Sequence, residues 1–193
     1  MLLGACDRNN GQGVQMMLSP AQSQFKNTDV TGLDYGKDFA MPDHSGKMRT
    51  LADFKGKAVV VFFGYTQCPD VCPTTMTEMA NVMQKLGPLS DKVQVLFVTV
   101  DPERDTPELL SKYVPAFDPR FLGLVGDKAA TEKMAKEFRV FYQKAPGKEA
   151  GSYTMDHTAS VFLLNDQGEF EGTIAYREDS ATAVAKLRKL LES

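Results

Sequence analysis

Ala58-Val59-Val60-Val61-Phe62-Phe63 runs without a break into Gly64-Tyr65-Thr66-Gln67-Cys68-Pro69-Asp70-Val71-Cys72-Pro73. A continuous run of β-branched and aromatic residues is the pattern of a strand covered on both faces, in the middle of a parallel or mixed sheet. Val93 to Val100 repeats it. Between the two, Thr74 to Leu86 places Met76, Met79, Ala80 and Met83 at helical spacing and closes on Gly87-Pro88. That spacing predicts a helix with its methionines packed in the core. A strand–helix–strand unit makes the two strands parallel. In such sheets ligands bind in the crevice at the carboxyl ends of the strands, and the cysteine pair falls there.

Outward from this unit the pattern stays regular. Upstream, Phe39-Ala40-Met41-Pro42 and Met48-Arg49-Thr50-Leu51 flank Asp43-His44-Ser45-Gly46-Lys47, a small hairpin with His44 as a solvent-exposed turn residue. Downstream, Asp105-Thr106-Pro107-Glu108 opens a helix that stops near Pro115, with Asp105 or Thr106 as its cap. Asp101, on the same sheet edge, is a candidate support for the site. Asp127 starts a third helix reaching about Phe138. Ala159 to Leu164 and Glu169 to Ala175 are strands joined by the Asn165-Asp166-Gln167-Gly168 turn, and a last helix covers Ser180 to Leu191. The order predicts an α/β fold: a thioredoxin-like domain with an N-terminal β-hairpin and an inserted helix.

Of the 193 residues, 42% are apolar and 24% charged, and the net charge is −3. This is the balance of a globular domain. No basic cluster stands out, which argues against nucleic acid as a partner. Residues 28–193 read as one domain. Residues 7 to about 27, rich in Asn, Gln, Gly and Ser, read as a flexible tether. Met1-Leu2-Leu3-Gly4-Ala5-Cys6 resembles the end of a bacterial lipoprotein signal, so residues 1–27 are expected to be a signal remnant, a lipidated Cys6 and a tether. The remaining sequence shows no run long enough to span a membrane.

Cys68 and Cys72 are two of only three cysteines, too few for a disulfide-built scaffold. Their pairing therefore indicates redox or metal chemistry. Pro73 disfavours a regular helix through Cys68–Cys72, because an interior proline lacks its N–H and restricts the residue before it. The expectation is a turn holding both cysteines, with Pro73 as the first helical residue. Such a turn brings two sulfurs around one metal ion or into a disulfide. Next to a helix N-terminus their thiolate character should rise. Thiolates suit Cu(I), and imidazole suits copper in either oxidation state. The chain has two histidines. His157, in Met155-Asp156-His157-Thr158, sits in the expected loop before a buried strand, opposite the cysteine loop. This makes Cys68, Cys72 and His157 the candidate copper ligands, with Asp156 a candidate for steadying the ring.

These stretches together resemble the Sco/SenC family of copper proteins that help assemble cytochrome c oxidase. The matching segments are Asp43-His44-Ser45-Gly46-Lys47, Leu51-Ala52-Asp53-Phe54-Lys55-Gly56-Lys57 and Phe62 through Thr74, then Asp101-Pro102-Glu103-Arg104-Asp105-Thr106 and Asp156-His157-Thr158. Gln67 departs from the histidine many members carry. The resemblance implies copper held by Cys68, Cys72 and His157. It also implies delivery to the binuclear copper site of cytochrome c oxidase subunit II, after loading from an upstream periplasmic copper donor. The implied setting is the bacterial periplasm, with a membrane anchor through Cys6. Two other functions use the same cysteines. A thiol–disulfide oxidoreductase would keep the target's copper-ligand cysteines reduced, and a thiol peroxidase would need neither the second cysteine nor the histidine.

Overall fold

The computed structural model describes residues 35–37 and 39–192. The expectations for Cys6 and the tether lie outside these residues. Strands β1 (Ala40–Pro42) and β2 (Met48–Thr50) form the N-terminal antiparallel hairpin. They are followed by β3 (Ala58–Gly64), α1 (Val71–Leu86), β4 (Val93–Thr99), α2 (Pro107–Tyr113) and β5 (Leu122–Leu124). Next come α3 (Lys128–Glu137), β6 (Tyr142–Pro146), β7 (Tyr153–His157), β8 (Val161–Leu164), β9 (Phe170–Ile174) and α4 (Ser180–Glu192). Among the described residues no helix is long and apolar enough to cross a membrane.

The central sheet has the order β5-β4-β3-β8-β9. Strands β3, β4 and β5 are parallel, while β8 and β9 are antiparallel additions. Every residue of β3 is buried, as an all-apolar run with two covered faces requires. Helices α1 and α4 pack against each other, and Met76, Met79 and Met83 lie in the core. The fold is thioredoxin-like, with α2 and β5 inserted between β4 and α3. At Gly123 in β5 an added Cβ would meet Leu110 of α2 at 2.9 Å, so the inserted helix rests directly on strand backbone.

Three local expectations are corrected. Helix α1 begins at Val71, two residues before Pro73, so Cys72 is helical. Pro73 is tolerated because it is the third helical residue, where no N–H has an intrahelical acceptor. The first bond of the ladder is Thr74 N–H to Asp70 O, at 3.1 Å. His157 is not in a loop but ends β7, whose partner β6 forms with it a separate two-stranded sheet. His44 is only half-exposed: its Nδ1 accepts from the Gly123 N–H at 3.1 Å, and its own N–H donates to Gly123 O at 2.8 Å. The turn histidine thus docks the N-terminal hairpin on the β5 edge.

Candidate metal centre

The two cysteines occupy the last turn before α1 and its first turn. Asp70, the residue capping α1, makes no side-chain cap hydrogen bond. Instead the Cys72 N–H, a free donor in the first turn, points at Cys68 Sγ at 3.4 Å. A sulfur thus fills the position an N-cap oxygen would fill, and the positive end of the helix favours it as an anion. Cys68 is half-buried and Cys72 is fully buried. The thiol of Cys72 hydrogen-bonds Cys68 and, against the effect of burial, holds its pKa down to about 4; His157 and the amides of Asp70 and Cys72 add to this. The same pairing, with burial and the Cys68 charge, pushes the Cys72 thiol far up. One thiolate and one protonated thiol share the site.

Gly64, at the end of β3, leaves room for this arrangement. A Cβ there would lie 2.8 Å from Cys72 Sγ and 2.9 Å from the Phe97 ring. Asp105 then anchors the loop between β3 and α1. Its carboxylate accepts from Thr66 N–H at 3.1 Å, Thr66 Oγ at 2.6 Å and Thr99 Oγ at 2.6 Å. Asp105 is buried, and that burial raises its pKa against the pull of these bonds. The cap of α2 is Thr106, which accepts from the Leu109 N–H. Asp105 is therefore free to hold the cysteine loop.

From the other side, β7 brings His157 to within 3.4 Å of Cys72 Sγ through Nε2. Nδ1 lies 3.0 Å from Thr158 O. A carbonyl only accepts, so Nδ1 carries the proton and Nε2 keeps its lone pair toward the sulfurs. Asp156 does not fill the steadying position expected of it; its side chain is exposed. The edges of Phe62 and Tyr65 meet the imidazole at 6.0 Å and 5.9 Å between ring centres. The ligand atoms of Cys68, Cys72 and His157 all lie within 4.8 Å of one another. Two sulfurs and one neutral imidazole nitrogen make a soft, nitrogen-completed donor set that fits copper. Cys68 and His157 border an open pocket of about 470 Å³, lined also by Pro69, Val71 and Met155, while Cys72 lies buried behind them.

A second cluster lies behind the site. Asp101 is buried and accepts from the Tyr153 hydroxyl at 2.9 Å and from Arg104 Nε. The expected support role of Asp101 is thus exercised on β7, four residues upstream of His157. The sequence contained Asp101 and Arg104, but only the fold brings Tyr153 to them.

The SCO1/SenC family profile matches residues 27–192. The chain is 41% identical over 135 residues to the human mitochondrial SCO2 homolog, covering 69% of this chain and 51% of that protein. It is 32% identical over 136 residues to a SCO2-like protein of Rickettsia felis, covering 70% and 66%. The chain spans about half the length of the mitochondrial relatives it matches. Among solved structures, copper-bound ScoI of Bradyrhizobium japonicum superposes with a TM-score of 0.74 at 42% identity, covering 81% of this chain and 99% of that one. Copper-bound yeast Sco1 gives 0.75 at 29%, covering 83% and 90%. The apo Sco1 of Thermus thermophilus gives 0.74 at 39%, covering 88% and 99%. The cysteine pair on a helix end, the histidine carried in on a neighbouring strand and a profile match across nearly the whole described fold lead to one conclusion: this chain belongs to the SCO1/SenC family.

Proposed function

We propose that the chain is a copper metallochaperone that holds the ion between Cys68, Cys72 and His157 and passes it to the binuclear copper site of cytochrome c oxidase subunit II. The observation that carries this reading is the meeting of three soft or borderline donors from two separate elements at one point. Copper-bound ScoI and yeast Sco1, which share the fold, support it. In this reading residues 28–193 are the copper-binding domain and residues 1–27 a tether. A lipidated Cys6 anchors the domain on the periplasmic side of a bacterial membrane, where an upstream donor loads it.

Titration of the reduced protein with Cu(I) against a chromophoric chelator tests the ligand set. The expected result is one tight equivalent in the wild type and much weaker binding in Cys68→Ser, Cys72→Ser and His157→Ala. Unchanged binding in His157→Ala would refute the three-ligand site.

One observation favours a second reading, a thiol–disulfide oxidoreductase acting on the target's cysteines. Cys68 is a half-exposed thiolate with a buried thiol directly behind it. The Cys68 thiolate would attack a target disulfide, and Cys72 would then resolve the mixed disulfide. This releases the target dithiol and leaves Cys68–Cys72 oxidised, to be re-reduced by an external dithiol. His157→Ala separates the two: it should remove tight copper binding and leave dithiol exchange largely intact. If that variant still supports full oxidase assembly, the reductase reading replaces the chaperone one.

A further inference from the structure

The imidazole and the two sulfurs sit on parts of the molecule that share no sheet. Among the described residues strands β6 and β7 pair only with each other, so their position over the cysteine loop depends on side-chain contacts and on the short link to β8. One residue makes several of these contacts. Arg104 pairs through Nε with the buried carboxylate of Asp101, beyond the end of β4. Its Nη1 donates to Gln67 Oε1 at 3.2 Å, on the residue before Cys68, and to Tyr153 O at 2.9 Å, on β7. Its guanidinium carbon lies 3.6 Å from the centre of the Tyr153 ring and 5.7 Å from that of Tyr65. The Tyr153 hydroxyl closes the cluster on Asp101 at 2.9 Å.

The contacts have a direction. Tyr153 and His157 are four residues apart on one strand, hence on the same face. What fixes the first fixes the azimuth of the second. Gln67 is one residue from a thiolate. A single planar cation thus bridges the thiol-bearing loop to the imidazole-bearing strand, using a buried carboxylate as its base. The hairpin is also held by Met155, which is buried and whose backbone bonds the Tyr65 hydroxyl, and by Lys144 on Glu103, between exposed side chains, where an ion pair contributes little. Among the described residues Arg104 Nη2 has no hydrogen-bond partner.

We infer that Arg104 is the positioning residue of the copper site, a latch that holds His157 over Cys68 and Cys72 through Tyr153, Asp101 and Gln67. The inference rests on the three-ligand reading above. Arg104 touches no ligand atom and contributes no donor. Lysine does not replace it, because an ammonium neither stacks flat on a phenol ring nor forks between two acceptors.

The test uses the full reduced chain and three variants: His157→Ala, Arg104→Met and the double variant Asp101→Asn/Arg104→Met. The double variant removes the carboxylate that Arg104→Met alone leaves buried and unpaired, so a folded latch-free protein is available. Two quantities are measured. One is Cu(I) affinity by chelator competition; the other is amide hydrogen exchange of the metal-free protein, read separately for β6–β7 and for the central sheet. The latch predicts that both Arg104 variants bind Cu(I) about 10- to 100-fold more weakly, the range for groups that orient metal ligands. It also predicts faster exchange confined to 142–157, with β3 and β4 as protected as in the wild type. Should His157→Ala bind as tightly as the wild type, the three-ligand reading itself fails. Should His157→Ala bind weakly while the Arg104 variants bind normally, only the latch fails. Weak binding with unchanged exchange in 142–157 also overturns the latch, since the loss would then not run through the hairpin.

Discussion

At the scale of single residues, the site separates two cysteines that look alike in sequence. Cys68 lies at the positive end of α1 and accepts from the Cys72 amide, while Cys72 is enclosed behind it. The sign of the consequence follows from the directions of their shifts. The Cys68 pKa falls from 9.0 to about 4, so the thiolate persists as the pH drops until it nears that value. Alkylation of native, metal-free protein by iodoacetamide should therefore modify Cys68 at a rate nearly flat from about pH 6 to 8. An ordinary thiol would accelerate about 100-fold over that interval. Cys72, shifted in the opposite direction, should remain unmodified until the protein unfolds, which peptide mapping by mass spectrometry resolves. A rate that climbs tenfold per pH unit at Cys68 would show that the helix end and its neighbours do not stabilise the anion.

At the scale of elements, α1 carries Cys72 and is itself braced by α4. The brace is pinned by an ion pair inside the protein. Lys186 of α4, 5% exposed, donates to Thr173 O at 2.7 Å and pairs with Glu178 at 2.8 Å. Glu178 also accepts from the Ala175 N–H at 3.1 Å, which ties the turn after β9 to the helix. Truncating one member of a buried pair leaves the other charged and poorly solvated. Lys186→Ala should cost about 3 kcal/mol in urea unfolding, in the range for broken buried pairs, with Cu(I) affinity of the folded fraction unchanged. A loss below about 1 kcal/mol would mean that water reaches Glu178 and the pair acts as a surface one.

At the scale of the whole molecule, the candidate ligands sit at the edge of a core filled mostly by other side chains, with only Cys72 buried in it. From Phe62 and Phe97, paired across β3 and β4, to Phe162 on β8, the interior is apolar and closed. Removing copper with a chelator should leave the far-ultraviolet circular dichroism and cooperative unfolding intact, unlike a zinc finger. Adding Cu(I) to 100 times its dissociation constant should then raise stability by about 2.7 kcal/mol, as mass action requires. Collapse on chelation would make the metal structural instead. Strands β3 and β4 were legible because a strand with two covered faces must be largely apolar. The start of α1 was misread, because a proline in the first turn loses no bond and so leaves the helix free to begin earlier. Strand β5 is only Leu-Gly-Leu, and β6 is polar and largely exposed, so neither carries a period to read. The three candidate ligands could be named from chemistry and position, whereas the stacking of Arg104 on Tyr153 joins residues 49 apart and exists only in three dimensions. The separateness of the β6–β7 ribbon has a last consequence. The sulfurs sit in and just before the first turn of one helix and the imidazole on a two-stranded ribbon outside the central sheet, so a displacement of that ribbon would separate nitrogen from sulfur without any of the central scaffold having to yield.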